Sequence, residues 1–266
     1  MKLSFSTLGC PEWSWSEIVS TAGDLGYDGI EIRGVARDIY APDVPQFRQG
    51  GAARTRALLQ EKKLEVPCLA SDCVLHLAPF RDRTVKELTA YIALARELGV
   101  PYVRVMGDNP QPWPGAPVDE DHVYGLASEL APLAADNGVT LLVETNGWYS
   151  NTAHLRKLLE RIDHPGVAAL WDVHHPYRYN SESAKETYAN IGPWIKHVHL
   201  KDSTLTDRVR YQMMGYGDLP LETFFDVLKE GGYDGFYSLE WVRRWDLTLE
   251  MPGIVFAQYI SYMRGL

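Results

Sequence analysis

Cysteine is scarce. Three occur in 266 residues, Cys10, Cys68 and Cys73, and none forms a Cys-x-x-Cys pair. An odd number at wide spacing excludes a disulfide framework as the basis of the fold and points to a reducing compartment. No apolar run approaches the 18 or so residues that a membrane helix requires. The opening Met1-Lys2-Leu3-Ser4-Phe5-Ser6-Thr7 has no long apolar stretch of the kind that marks a signal peptide. The expectation is a cytoplasmic protein with no membrane partner. Runs of basic residues are missing too. With a net charge of −9 the chain repels phosphate backbones, so no nucleic-acid partner is expected.

What is present is ordinary in amount and ordered in arrangement. Hydrophobic residues make up 45% and charged residues 23%, which places the chain among globular proteins able to bury a sizeable core. Short apolar runs alternate with amphipathic stretches, the pattern of βα units around a parallel sheet. Strands are expected at 3–8, 28–33, 65–71, 101–106, 139–144, 167–172, 195–200 and 235–240. Helices are expected at 14–25, 49–62, 82–98, 119–136, 151–160, 183–190, 221–230 and 249–263. Eight of each in strict order predict a single (β/α)8 barrel domain spanning 1–266, a fold that typically takes about 250 residues.

The joints between helices and strands repeat. Leu25-Gly26-Tyr27-Asp28-Gly29-Ile30 returns as Gly232-Tyr233-Asp234-Gly235-Phe236, and Gly99 and Gly138 open similar joints. In each a glycine follows the helix, where positive φ closes its last carbonyls. The segments after the strands are longer, notably 108–117 and 203–219, and in a barrel those segments build the active face.

Four polar residues close consecutive apolar runs: Glu144, Asp172, His199 and Glu240, spaced 28, 27 and 41 residues apart. The first two intervals are single βα units; the third is one unit plus the 203–219 loop. Strands about 4.8 Å apart can bring such ends to one point. Buried parallel strands are apolar on both faces, so periodicity does not say whether all four point the same way. Three carboxylates together would repel one another, and a divalent cation removes that conflict. Oxygen-rich ligation with one imidazole suits Mn2+ foremost, with Mg2+, Co2+ and Zn2+ as alternatives. Taken singly, an acidic residue at a strand end is more often a helix cap.

Several segments together resemble the xylose isomerase-like TIM-barrel superfamily, and within it the sugar phosphate isomerase/epimerase group. They are Ser6-Thr7-Leu8-Gly9-Cys10-Pro11-Glu12-Trp13-Ser14, Gly26–Arg33, Val143-Glu144-Thr145-Asn146, Trp171-Asp172-Val173-His174-His175, His197-Val198-His199-Leu200-Lys201-Asp202, Gly215–Leu219 and Ser238-Leu239-Glu240-Trp241. The resemblance covers nearly the whole chain. It implies that Glu144, Asp172, His199 and Glu240 hold one metal, that Glu144 and Glu240 also move protons, and that His175 contacts substrate. Ketose epimerases of the superfamily carry an arginine six residues after the ligand histidine. Position 205 here is leucine, with Arg208 and Arg210 nearby.

The chemistry so implied is proton abstraction beside a carbonyl, with a metal stabilising the enediolate and a carboxylate as base. Epimerisation or isomerisation of a ketose, sugar phosphate or related polyol is the leading expectation. Dehydration or β-elimination by a lyase of the same superfamily is the second. An endonuclease IV-like activity and a non-catalytic sugar-binding barrel come after these. Further substrate contacts are expected from Arg104, Lys201, His76 and Trp113, with Trp13, Trp148, Trp241 and Asp72 also near the active face. Glu31 and Arg33 are expected to pair with each other. Gly215 and Gly217 are too short a motif for a phosphate loop. Assembly into a homo-oligomer stays open.

Overall fold

The computed structural model describes residues 1–48, 50–108 and 118–266. They form two compact units, one from Met1–Pro67 with His199–Leu266 and one from Cys68–Val198.

The first unit opens with β1 (Lys2–Ser6), α1 (Trp15–Leu25), β2 (Gly29–Glu31) and α2 (Gly51–Glu61). The second contains β3 (Cys68–Val74), α3 (Arg81–Leu98), β4 (Tyr102–Met106), α4 (Glu120–Asp136), β5 (Thr140–Glu144), α5 (Thr152–Ile162), β6 (Val167–Asp172), α6 (His174–Asn180) and α7 (Ala184–Ile191). Strand β7 (Ile195–Leu200) begins in the second unit and ends in the first. The first unit then resumes with β8 (Asp202–Leu205), β9 (Val209–Gln212), α8 (Leu221–Glu230), β10 (Phe236–Leu239) and α9 (Pro252–Arg264).

In the first unit β1 lies between β2 and β10, parallel to both. Ser4 pairs with Gly29 on one side and Ser238 on the other. Alternation along a strand then separates two faces. Ser4, Ser6, Ser238 and Glu31 share one. Leu3, Phe5, Tyr237 and Leu239 occupy the other, which is aromatic and packs on helices. Phe5 stacks on Phe256 at 4.1 Å and meets Tyr27 edge-on at 4.9 Å. The Tyr27 and Tyr259 hydroxyls donate to the carbonyls of Phe256 and Tyr237, so both of these buried hydroxyls are satisfied.

In the second unit β3, β4, β5 and β6 run parallel in that order, with β7 beyond β6. The register pairs Arg104 with Leu142 and Glu144 with Leu170. One face therefore carries Arg104, Leu142, Glu144, Ala168, Leu170 and Asp172. Leu142, Ala168 and Leu170 pack together under Tyr102 and Trp194, an apolar floor beneath the polar strand ends.

Local signals account for the helix bounds. Ser14 caps α1 and Glu17 reaches back to Ser14, a reciprocal box that recurs at Ser183 and Glu186 on α7. Removing such a cap costs about 1 kcal/mol. Gly26, Gly99, Gly138 and Gly232 take positive φ as their joints require. The helical segments match the expected ranges to within three residues. Two features went unforeseen. The 203–219 segment contains the antiparallel hairpin of β8 and β9, and α6 begins directly after β6. Short polar strands without alternation and a seven-residue helix of mixed residues give no periodic signal.

Candidate functional site

The second unit brings together Glu144, Asp172 and His175. Glu144 ends β5 and is 1% exposed; its Oε2 lies 3.1 Å from Arg104 Nε. Arg104 Nη1 donates to the Ser71 carbonyl at 2.8 Å, and Ser71 Oγ donates back to the Arg104 carbonyl. The guanidinium is thus held from β3 while it faces the carboxylate. The other oxygen of Glu144 accepts from Asn146 Nδ2 at 3.2 Å.

Asp172 ends β6. Its Oδ1 accepts from the backbone N–H groups of His174 and His175, at 2.9 and 3.3 Å. The chain turns into α6 on this carboxylate. Strands β5 and β6 are joined at the same level by Thr145, which accepts from Asp172 N and donates to the Asp172 carbonyl. His175 Nδ1 stands 3.0 Å from the Thr145 carbonyl, 3.6 Å from Glu144 Oε1 and 3.7 Å from Asp172 Oδ1. A carbonyl only accepts, so Nδ1 carries the proton there. Asp172, His174 and His175 are all buried and each offers a ligand atom within 4.8 Å of the others. Such a buried Asp/His cluster can hold a metal ion.

Asp108 was not anticipated. It is fully buried after β4, its Oδ2 accepts from Trp148 N at 2.6 Å, and burial pushes its carboxyl up to about 7. A lone aspartate beside a Pro/Gly-rich segment carries no sequence signal for this. His76 is half-buried; its N–H donates to the Gly107 carbonyl, and burial lowers its imidazole below the usual range. Asp72 is exposed on β3. Trp148 is 40% exposed, with its indole N–H on Glu120. Trp113 lies outside the described residues.

The first unit brings together Glu31, His199, Lys201 and Glu240. His199 is the fifth residue of β7, not its last. Glu240 follows the last residue of β10, and its N–H donates to the Leu200 carbonyl at 2.9 Å, so the ladder continues past the strand end. His199 is fully buried between two carboxylates: Nε2 is 2.8 Å from Glu31 Oε2, and Nδ1 is 3.5 Å from Glu240 Oε1. Glu31 thus holds the imidazole of His199 through Oε2. Arg33 is buried with its guanidinium 5.7 Å from the Trp245 ring centre. Strand β2 ends at Glu31 and the chain turns at Gly34, φ +84°.

Lys201, 2% exposed, contacts Glu240 Oε2 directly. The next residue, Asp202, is spent on structure. Its carboxylate accepts from the N–H groups of Ser203, Gly215 and Gly217. The Gly215-x-Gly217 pair therefore wraps a carboxylate of the chain itself. Arg210 lies on the hairpin in an exposed pair with Asp207. Trp241 is buried, with its indole N–H on the Glu250 carbonyl, and the half-buried Trp13 packs edge-on against Phe256.

The family model described as "Xylose isomerase-like TIM barrel" matches residues 19–255. Fructoselysine 3-epimerase of Shigella flexneri is 24% identical over 282 residues, spanning 100% of this chain and 98% of the relative. Among solved structures, the probable 3-DHS dehydratase AsbF from Bacillus anthracis superposes with a TM-score of 0.83 at 18% identity, over 99% of each chain. The IOLI protein with a bound zinc atom gives 0.79 at 17% identity, over 100% of this chain and 97% of the other. Relatives thus include sugar epimerases and dehydratases. The structural likeness shows the fold, a (β/α)8 barrel.

Proposed function

Because this chain belongs to the xylose isomerase-like TIM-barrel family, we propose that it is a divalent-metal-dependent epimerase or isomerase of a ketose-like substrate, with Glu144, Asp172, His199 and Glu240 as the metal ligands. The arrangement of His199 carries the reading. One ring nitrogen is engaged by a buried carboxylate, Glu31 at 2.8 Å, while the other faces Glu240 at 3.5 Å. A carboxylate on the outer nitrogen orients a metal-ligating imidazole and raises its basicity. The donor set is three carboxylates and one imidazole, which fits Mn2+ and equally admits Mg2+, Co2+ or Zn2+.

When bound, the metal supplies Lewis-acid stabilisation to negative charge on a substrate oxygen. The remaining work belongs to side chains of the protein. Glu144 and Glu240 each take or return a proton at the carbon beside the carbonyl. Arg104 orients Glu144, and Lys201 does the same for Glu240. His175, with Nδ1–H committed to the Thr145 carbonyl, presents Nε2 as an acceptor for a substrate hydroxyl. Reprotonation of the same carbon from the opposite face gives an epimer; reprotonation of its neighbour gives an isomer.

Glu240→Gln tests the assignment. Turnover should fall by about 10²–10⁴-fold, the usual weight of a positioned acid–base group, with the far-UV circular dichroism unchanged. Retention of the wild-type rate removes Glu240 from the chemistry. The substrate class is found by incubating ketoses, inososes and 3-keto-glycosides with Mn2+ in deuterated water and reading deuterium entry at carbon by NMR.

A second reading, a dehydratase of a keto-sugar or keto-acid, is favoured by the contact of Lys201 with Glu240. An ammonium next to the base can protonate a departing hydroxyl. Loss of one water from the product mass selects this reading; unchanged mass selects epimerisation or isomerisation.

A further inference from the structure

Tyr237 and Glu240 sit three residues apart around β10, so their side chains leave opposite faces of the strand, about 10 Å apart along it. Glu240 belongs to the proposed catalytic face. Tyr237 belongs to the other, and it lines a separate cavity of about 640 Å3 in the first unit. Three aromatic rings form its wall. Phe225 from α8 and Tyr233 from the following turn lie 6.1 and 5.3 Å from Tyr237, centre to centre. All three line the cavity.

Two further observations bear on what fits there. Tyr237 is only 4% exposed, and its hydroxyl makes no hydrogen bond among the described residues. Burial alone acts on it, pushing its ionisation up to about 12. The Tyr233 hydroxyl differs: it donates to the Phe236 carbonyl at 2.8 Å. The Tyr237 hydroxyl oxygen opens onto the cavity, where an N–H donor can reach it. The rim is acidic. Glu222, Asp226 and Asp234 line the cavity together with Lys229 and Met1, and the three acids are exposed.

We propose that this cavity binds a small amphipathic organic cation, an alkyl- or arylammonium compound, at a site separate from the catalytic face. The cationic head lies over the Phe225, Tyr233 and Tyr237 rings, where ring quadrupoles attract it. The carboxylates of Glu222, Asp226 and Asp234 supply the complementary charge. The Tyr237 hydroxyl, which accepts as well as donates, takes an ammonium N–H. The apolar body of the ligand occupies the aromatic wall. An anion would meet the acidic rim, and a neutral compound would forgo both the ring attraction and the carboxylates. The site makes no use of the metal ligands, so it stands or falls independently of the proposed reaction.

The test uses phenethylammonium as the probe, with 2-phenylethanol and 3-phenylpropionate as its neutral and anionic counterparts. Binding to the full chain is followed by saturation-transfer NMR and titration calorimetry at low salt. The ammonium should bind at least about tenfold more tightly than the alcohol, a 1.4 kcal/mol preference, and the carboxylate should not bind. Asp226→Asn combined with Asp234→Asn should weaken the ammonium about fivefold or more and leave the alcohol unchanged. Tyr237→Phe, which keeps the ring, should weaken it about threefold. Glu240→Gln should bind it as the wild type does. Equal affinity for ammonium and alcohol, indifference to the paired Asp→Asn change, or no binding of the ammonium at 10-fold above about 1 mM each overturns the proposal. If Tyr237→Phe melts at a lower temperature, the Asp pair on the exposed rim carries the test.

Discussion

His199 illustrates how one imidazole can be committed from both sides. Glu31 accepts from Nε2 at 2.8 Å in a fully buried setting, so a proton sits on that nitrogen and Nδ1 is the one turned towards Glu240. Glu31→Gln retains an acceptor oxygen but removes the charge. Metal affinity is expected to fall about 10–100-fold, as it does when such outer partners are altered, while the melting temperature changes little. Competition with a fluorescent chelator measures it; undiminished affinity would assign Glu31 to packing alone. Asp108 provides a pH signature. Burial raises its carboxyl to about 7 from an ordinary value of 3.8. The folded state therefore holds its proton longer than the unfolded chain does. Its contribution is whole below pH 3.8 and is lost as pH rises towards and through 7. Asp108→Asn keeps an acceptor for Trp148 N–H and cannot ionise. Between pH 5 and 8 the wild type should lose several degrees more of melting temperature than this variant, since each kcal/mol is worth roughly 2–4 °C in a chain of this size. Parallel melting curves would dismiss the assignment.

The segment from Asp202 to Leu219 shows how a loop becomes rigid. Asp202 gathers three backbone N–H groups from both ends of the hairpin region, and a Cβ at position 217 would lie 2.0 Å from Asp202 Oδ1 and 2.5 Å from the Ser203 carbonyl. Gly217→Ala must displace that carboxylate or the loop. A destabilisation of about 1–3 kcal/mol is expected, read by urea denaturation, together with a loss of turnover because Lys201 adjoins Asp202. A variant as stable as the wild type would mean that the loop yields freely. The glycine pair was visible in the sequence. What it wraps was not, because a short Gly-x-Gly is compatible with many partners, and an aspartate 13 to 15 residues away gives no hint of a contact. The hairpin was likewise hidden, since β8 and β9 are short and partly exposed and lack an alternating apolar face.

Ligand removal should act on the chain as a whole. Dialysis against a chelator is expected to abolish turnover and to lower the melting temperature. Adding Mn2+ back at about 100 times its dissociation constant should recover roughly 2.7 kcal/mol, the linkage expected when only the folded state binds. A melting temperature and a rate indifferent to the chelator would separate this protein from the metal-dependent reading. Among the described residues no helix is long and apolar enough to cross a membrane, in keeping with the absence of long apolar runs in the chain.

The order of eight strands and eight helices was legible in the chain because each βα unit writes its own period and its own glycine joint, interactions that reach only a few residues. The polar ends of strands five to eight were legible for the same reason: Glu144, Asp172, His199 and Glu240 interrupt apolar runs. Which way they face was not, since a strand buried on both sides shows no alternation. The register decided it, by pairing Glu144 with Leu170 and Ser4 with Ser238. Tertiary structure alone also chose the partners: Glu31 for His199 across 168 residues, Arg104 for Glu144, Lys201 for Glu240. Pairs so distant along the chain are selected by which side chains the sheet brings within about 4 Å in a medium that screens charge poorly, and no local pattern records that choice.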